Sequence, residues 1–260
     1  MSAAQASPST GPIVYPDCDG EPIAENTLQF DWIVTIKGSL EALFKDDPNV
    51  FVAGDLLWYP VEGDPETRVA PDAMVVFGRP KGHRGSYKQW EEGGIAPQVV
   101  FEVLSPGNRS GELGRKLVFY EDFGVEEYYQ YDPDREARPG VRSPLWGWIR
   151  SDDRLVEIPK MSGHVSPLTK IRFELGEGKD ALTIYRPDGR AFIGFVENQE
   201  LAEAAVRQAQ AAVRQAQAAE RQAEEAERRT LLAEGQAQAE RDRADALLAR
   251  LRSLGIDPEN

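Results

Sequence analysis

At Asn198 the chain changes character. All five Trp and all eight Tyr stand before it. After it runs a tract of Ala, Gln, Glu and Arg in which "AVRQAQA" occurs twice in succession, at 205–211 and 212–218. From Ala202, steps of three and four alternate through Ala205, Ala209, Ala212, Ala216, Ala219, Ala223 and Ala226. They continue through Thr230, Ala233, Ala237, Glu240, Ala244, Leu247, Leu251 and Leu254. This is a heptad seam with two polar interruptions. It predicts one helix over 199–254, roughly 84 Å long at 1.5 Å per residue, stopped by Gly255 and Pro258. An Ala seam buries little area, so self-association as a coiled coil is expected to be weak except at the Leu-rich end. A solvated single helix is the alternative. The break gives three parts: a polar, Pro-bearing N-terminus expected to be disordered over 1–13, a globular domain over 14–197, and the helical tail over 198–260.

The globular part alternates helix and strand patterns. "ENTLQFDWIVTIKGSLEALFK" (25–45) carries Leu28, Trp32, Ile33, Ile36, Leu40 and Leu43 at helical spacing, with Asn26 or Thr27 available as a cap. "NVFVAGDLLWYPVEG" (49–63) reads as a β pair or bent strand, and "VAPDAMVVFG" (69–78) and "PQVVFEVLS" (97–105) as strands. "SGELGRKLVFYEDFG" (110–124) reads as a helix and "VEEYYQYDPD" (125–134) as a strand ending in a turn. The last three make a βαβ unit, whose crossover is expected to be right-handed. Short antiparallel strands are expected in 145–195, the last of them "AFIGFVE" (191–197). The fold class is therefore α/β, a mixed, strongly curved sheet with flanking helices, plus the long C-terminal helix.

Composition narrows the setting. The lone Cys18 excludes an internal disulfide and suits a reducing compartment. No secretory pattern opens the chain, and no segment approaches the roughly 20 apolar residues of a spanning helix. A cytoplasmic location without membrane attachment is the expectation. The net charge of −14 argues against broad nucleic-acid coating but leaves room for a local basic groove.

Two acids stand where apolar residues belong. In the strand at 97–105, alternation sets Val100, Glu102 and Leu104 on one face and Val99, Phe101 and Val103 on the other. A buried carboxylate without a partner costs several kcal/mol, so something across space must offset Glu102. Asp72 opens the apolar run Ala73–Phe77 behind Pro71, which stiffens the start of that strand. On the helix at 110–124, Lys116 falls on the arc of Leu113, Leu117, Tyr120 and Phe123, so it points toward the sheet and within reach of Glu102. Plainer readings are a turn acid for Asp72, a salt-bridged core acid for Glu102 and a snorkelling stem for Lys116. Two acids on neighbouring strands plus a lysine also suit a hard-oxygen site for Mg²⁺, with Mn²⁺ as a substitute, in which the metal acidifies water and the lysine orients it.

The loop "GRPKGHRGSYKQW" (78–90) carries Arg79, Lys81, Arg84 and Lys88, with His83, Tyr87 and Trp90, and is a candidate phosphate-backbone contact or an ordinary solvated loop. Tyr128, Tyr129 and Tyr131 alternate across a strand, which favours core packing over base stacking. Other chemistries are poorly served. No glycine precedes Lys116 as a P-loop requires, and no GxSxG surrounds Ser105. Two His and one Cys make zinc clusters improbable.

The stretches "APDAMVVFGRPKGHRGSYKQW" (70–90) and "VVFEVLSPGNRSGELGRKLVFYEDFGVEEYYQYDPD" (99–134) resemble the Uma-two family, which carries a restriction-endonuclease label and is placed in the PD-(D/E)XK nuclease superfamily. The resemblance covers roughly 14–195, and the tail ending "LRSLGIDPEN" is similar to helical extensions on many members. It implies a restriction-endonuclease-like fold and Mg²⁺-dependent hydrolysis of phosphodiester bonds in DNA. By resemblance Pro71–Asp72 is the first half-motif, with Asp72 a metal ligand, and Glu102 is the acid of the second. The superfamily lysine would stand at Leu104. In this family it sits on the following helix, where Lys116 matches. The Val103 carbonyl would be a further metal ligand. Glu25 matches an acidic position near the first helix, and Gln29 stands where many relatives carry His. A catalytically weak nuclease fold, serving as a binding or assembly module through its coiled coil, is the alternative.

Overall fold

A computed structural model describes residues 13–18, 20, 22–105, 110–135, 143–178 and 181–253. Asn26 starts the first helix, α1 (Thr27–Leu43), its side-chain oxygen accepting the Gln29 N–H at 2.8 Å. Ile33, Ile36 and Leu40 turn one face of α1 inward, each burial contributing roughly 1.5–3 kcal/mol. There follow β1 (Val50–Ala53), β2 (Trp58–Tyr59), β3 (Ala73–Phe77), β4 (Tyr87–Lys88) and β5 (Val99–Val103). After α2 (Ser110–Asp122) come β6 (Glu127–Tyr131), β7 (Leu145–Ser151), β8 (Arg154–Glu157), β9 (Arg172–Leu175), β10 (Leu182–Tyr185) and α3 (Phe195–Ser253).

Six strands form a mixed sheet in the order β1-β3-β5-β6-β7-β8. Only β5 and β6 pair in parallel, as the α2 crossover between them requires. The other neighbours are antiparallel. Strand β5 lies mid-sheet with all five residues buried. Val99, Phe101 and Val103 enter one core with α1, while Val100 enters a second with Tyr120 and Trp58. Burial on both faces is why its sequence reads as a continuous apolar run. The tyrosines of β6 divide likewise, Tyr129 and Tyr131 into the first core and Tyr128 into the second, so none offers a free stacking face.

Three expectations are corrected. The 49–63 segment is not one β pair. Asp55, with φ +50°, turns the chain between β1 and β2, and β2 leaves the main sheet to pair in parallel with β4. Asp is among the few residues that tolerate this left-handed conformation. "AFIGFVE" does not form a strand. Only Ala191 bridges to Tyr185, and from Phe195 the segment is already α3, because a short alternating run also satisfies the first turns of a helix. The helix expected over 199–254 therefore starts four residues earlier, and Leu254, Gly255 and Pro258 lie outside the described residues, as do residues 1–12 of the N-terminus expected to be disordered.

The chain divides into two units, residues 1–197 and 198–260. Helix α3 runs 59 residues, none of them buried. No helix among the described residues is long and apolar enough to cross a membrane.

Candidate active site

Strand β5, an interior strand of the six-stranded sheet, buries Glu102. Its side chain is only 3% exposed, and helix α2 supplies its partners. Lys116 Nζ lies 2.7 Å from Glu102 Oε2. One turn further on, the Tyr120 hydroxyl donates to Oε1. The expected reach of Lys116 toward Glu102 is thus met. Leu104, where the superfamily pattern has lysine, directly follows β5 as a buried apolar residue.

Asp72 precedes β3, and the antiparallel β3–β5 pairing sets it beside the end of β5. Its Oδ2 accepts the Val103 N–H at 2.6 Å. Burial, and then the charge of Glu102, push the Asp72 carboxyl well above the usual carboxylate range, against the opposing pull of Lys116 and the Val103 N–H. Asp55 adds negative charge to the same spot. The backbone is drawn in around it: the Asp55 N–H donates to the Pro71 carbonyl at 3.0 Å, and a Cβ on Gly54 would stand 3.1 Å from the Asp72 carbonyl oxygen. Burial, followed by Glu102's charge, raises Tyr120 well above its ordinary value, so its hydroxyl keeps its proton and remains a donor.

The first turn of α1 closes another side. Gln29 Nε2 donates to the Val103 carbonyl at 2.8 Å, and its Oε1 accepts the Glu25 N–H at 2.8 Å, which assigns the amide's orientation. The Ser105 hydroxyl donates to the Glu25 carboxylate. Val103 therefore has one carbonyl lone pair engaged by Gln29.

Among the described residues no group of three or more His, Cys, Asp or Glu side chains is set to hold a metal ion. The donors present are the two carboxylates of Asp72 and Glu102 and the second lone pair of the Val103 carbonyl. Mg²⁺ is bound by such sets, one or two carboxylates with the remaining positions held by water. Two acids sharing one buried place with one lysine leave unbalanced negative charge, which a divalent cation offsets. The donor chemistry fits.

The basic loop is dispersed. Arg79 and Arg84 both turn onto Glu92, at 2.8 and 2.6 Å. Lys88 lies 3.5 Å from Glu91, and Lys81 Nζ donates to the Val50 carbonyl at 3.1 Å. The sequence window that showed a run of cations ended one residue before Glu91 and Glu92. Two of the four, Lys81 and Arg84, line an open cleft of about 380 Å³ with Lys37, His83, Phe51 and Gly54. Sequence reasoning missed three contributors to the site. Tyr120 counted only as an apolar ring, Asp55 was not singled out within 49–63, and Gln29 counted as a departure from a family pattern. The Gly54–Asp55 pair ending an apolar strand was the available signal for the second.

A search of curated proteins finds no match. Among solved structures the chain is similar to one described as "a putative nuclease belonging to DUF820" from Anabaena variabilis ATCC 29413, at 12% identity and a TM-score of 0.39, over 55% of this chain and 73% of that one. The family model Uma2, described as "Putative restriction endonuclease", matches residues 13–149. That match ends inside β7, short of the 195 expected from the resemblance, so β8 to β10 and α3 lie beyond it. It spans more than half of the 260 residues and includes Asp72, Glu102 and Lys116, so the chain belongs to the Uma2 family.

Proposed function

We propose that this protein is a divalent-metal-dependent endonuclease that hydrolyses phosphodiester bonds in DNA. The observation that carries the reading is the convergence of Glu102 and Lys116, at 2.7 Å, beside a half-buried Asp72 whose carboxyl feels both charges. Asp72, Glu102 and the Val103 carbonyl would hold Mg²⁺ or Mn²⁺. Such a metal, when bound, acidifies water and neutralises charge developing on a phosphate. Lys116, held 2.7 Å from Glu102, brings an ammonium that would orient a water or steady a phosphate oxygen. Asp72 and Glu102 bring charge to a poorly solvated place, where electrostatic interactions act more strongly than in water. Of the four loop cations, Lys81 and Arg84 remain candidates for the phosphate backbone, joined by Lys37 and His83 along the cleft. Arg79 and Arg84 would first have to leave Glu92, Lys88 would have to leave Glu91, and Lys37 would have to leave Glu41.

The test is cleavage of plasmid and single-stranded DNA with Mg²⁺ or Mn²⁺. Wild type should cut, and Asp72→Ala should cut slower by at least about 10²-fold, the scale of losing one electrostatic group from a reacting centre. Equal cutting by both, or none with any metal, sinks the proposal.

The tail supports a second reading, assembly through a coiled coil. It is favoured by 59 helical residues without one buried, while the seam from Ala202 to Leu251 presents small and apolar residues at heptad spacing. Ending the chain after Glu197 should leave the melting transition of the remaining domain in place and lower the mass measured by light scattering. An unchanged mass refutes self-association through this helix.

A further inference from the structure

We infer that Tyr120 is a positioning residue of the nuclease site, setting the orientation of the Glu102 carboxylate. The inference rests on the metal-dependent reading above and extends it to a residue outside the proposed ligand set.

Lys116 and Tyr120 are one helical turn apart on α2, so both project from the same face. The ammonium takes Glu102 Oε2 and the phenol hydroxyl takes Oε1, so one helix grips both oxygens of one carboxylate. Tyr120 itself is fully buried. Its ring lies parallel to Trp58 at 6.4 Å, edge-on to Tyr128 at 4.8 Å and edge-on to Phe119 at 6.0 Å. Trp58 is held in turn by its Nε1–H on Gln89 Oε1 at 3.0 Å. A ring wedged this way has no second rotamer to visit, and a buried phenol must find an acceptor. Glu102 is that acceptor. The lysine alone would leave the carboxylate free to pivot about Oε2. With the second oxygen also held, its remaining lone pairs are presented in one direction, as partners behind a metal ligand do.

Tyr120→Phe keeps the ring packing and deletes only the donor. Calorimetric titration of the DNA-free protein with Mn²⁺ should show affinity weakened about 10- to 100-fold. The Mn²⁺ concentration giving half-maximal cleavage should rise in parallel, with KM for DNA unchanged. Tyr128→Phe is the packing control. Tyr128 lies edge-on to Tyr120, but its hydroxyl pairs with Gln130, and its loss should leave Mn²⁺ affinity as in wild type. If Tyr120→Phe fails to melt cooperatively, Tyr120→Gln, which keeps a donor, must bind Mn²⁺ more tightly than Tyr120→Leu. Wild-type affinity in Tyr120→Phe, equal affinity in the Gln and Leu variants, or an equal loss in Tyr128→Phe overturns the inference while leaving the nuclease reading standing. A wild type that neither binds Mn²⁺ nor cleaves overturns both.

Discussion

Asp72→Asn should melt at a higher temperature than wild type in metal-free buffer at neutral pH, while losing metal-dependent cleavage. The two effects share one cause. Asp72 is half-buried beside a second, fully buried carboxylate, and its carboxyl is pushed up first by burial and then by the charge of Glu102. The sign follows from proton binding. An ordinary Asp in the unfolded chain titrates near about 3.9. Between that value and the raised native one, the folded state holds more protons than the unfolded state. Stability therefore falls as pH rises through this window, and the loss is complete above the native value. Asparagine keeps the shape and the acceptor for the Val103 N–H but carries no charge, so that slope should vanish. Divalent metal should act in the opposite direction on wild type, adding about 2.7 kcal/mol at a hundredfold excess over the dissociation constant, and do little for the variant. Melts from pH 5 to 8, in chelator and in Mn²⁺, check both arms. An Asn variant less stable than wild type at pH 8 in chelator would falsify the charge argument.

Lys116→Met should fail in both respects. It removes the ammonium and leaves Glu102, 3% exposed, with the Tyr120 hydroxyl on one oxygen and no cation from the described residues on the other. Breaking a buried ion pair from one side costs about 3 kcal/mol, the lower end of the usual range being apt because Lys116 retains some exposure. Cleavage should drop with it. The double variant Glu102→Gln/Lys116→Met separates the effects. With the charges of both Glu102 and Lys116 removed, its denaturation midpoint should return toward wild type, and it should remain inactive. Urea unfolding of the three proteins decides this. A single Lys116→Met variant as stable as wild type would mean that the pair is not needed to hold Glu102 in its strand.

The legibility of this molecule varies with the range of the interaction. The periodicity of 25–45 and 110–124 marked α1 and α2 to within two residues at each end, because side-chain spacing along a helix is a local property. The same reasoning turned Lys116 toward the sheet and separated Glu102 and Val100 from Val99, Phe101 and Val103, and the two cores divide along that line. It faltered where chain direction changes at one residue. Asp55 sends β2 away from β1 by adopting a positive φ, and "AFIGFVE" is too short for its period to exclude a helical start.

From sequence alone came the break at Asn198, the seam of the tail, the burial of an acid in β5 and the lysine facing it. Each follows from composition or from the angle between successive side chains. Only the tertiary structure decided which other groups close around that acid. The Tyr120 hydroxyl on Glu102, the Gln29 amide on the Val103 carbonyl and the Val103 N–H on Asp72 link segments 18, 74 and 31 residues apart. Whether they meet depends on strand register and on the direction of single polar atoms. The basic loop makes the same point in reverse: its arginines read as free cations until folding laid Glu92 across both of them.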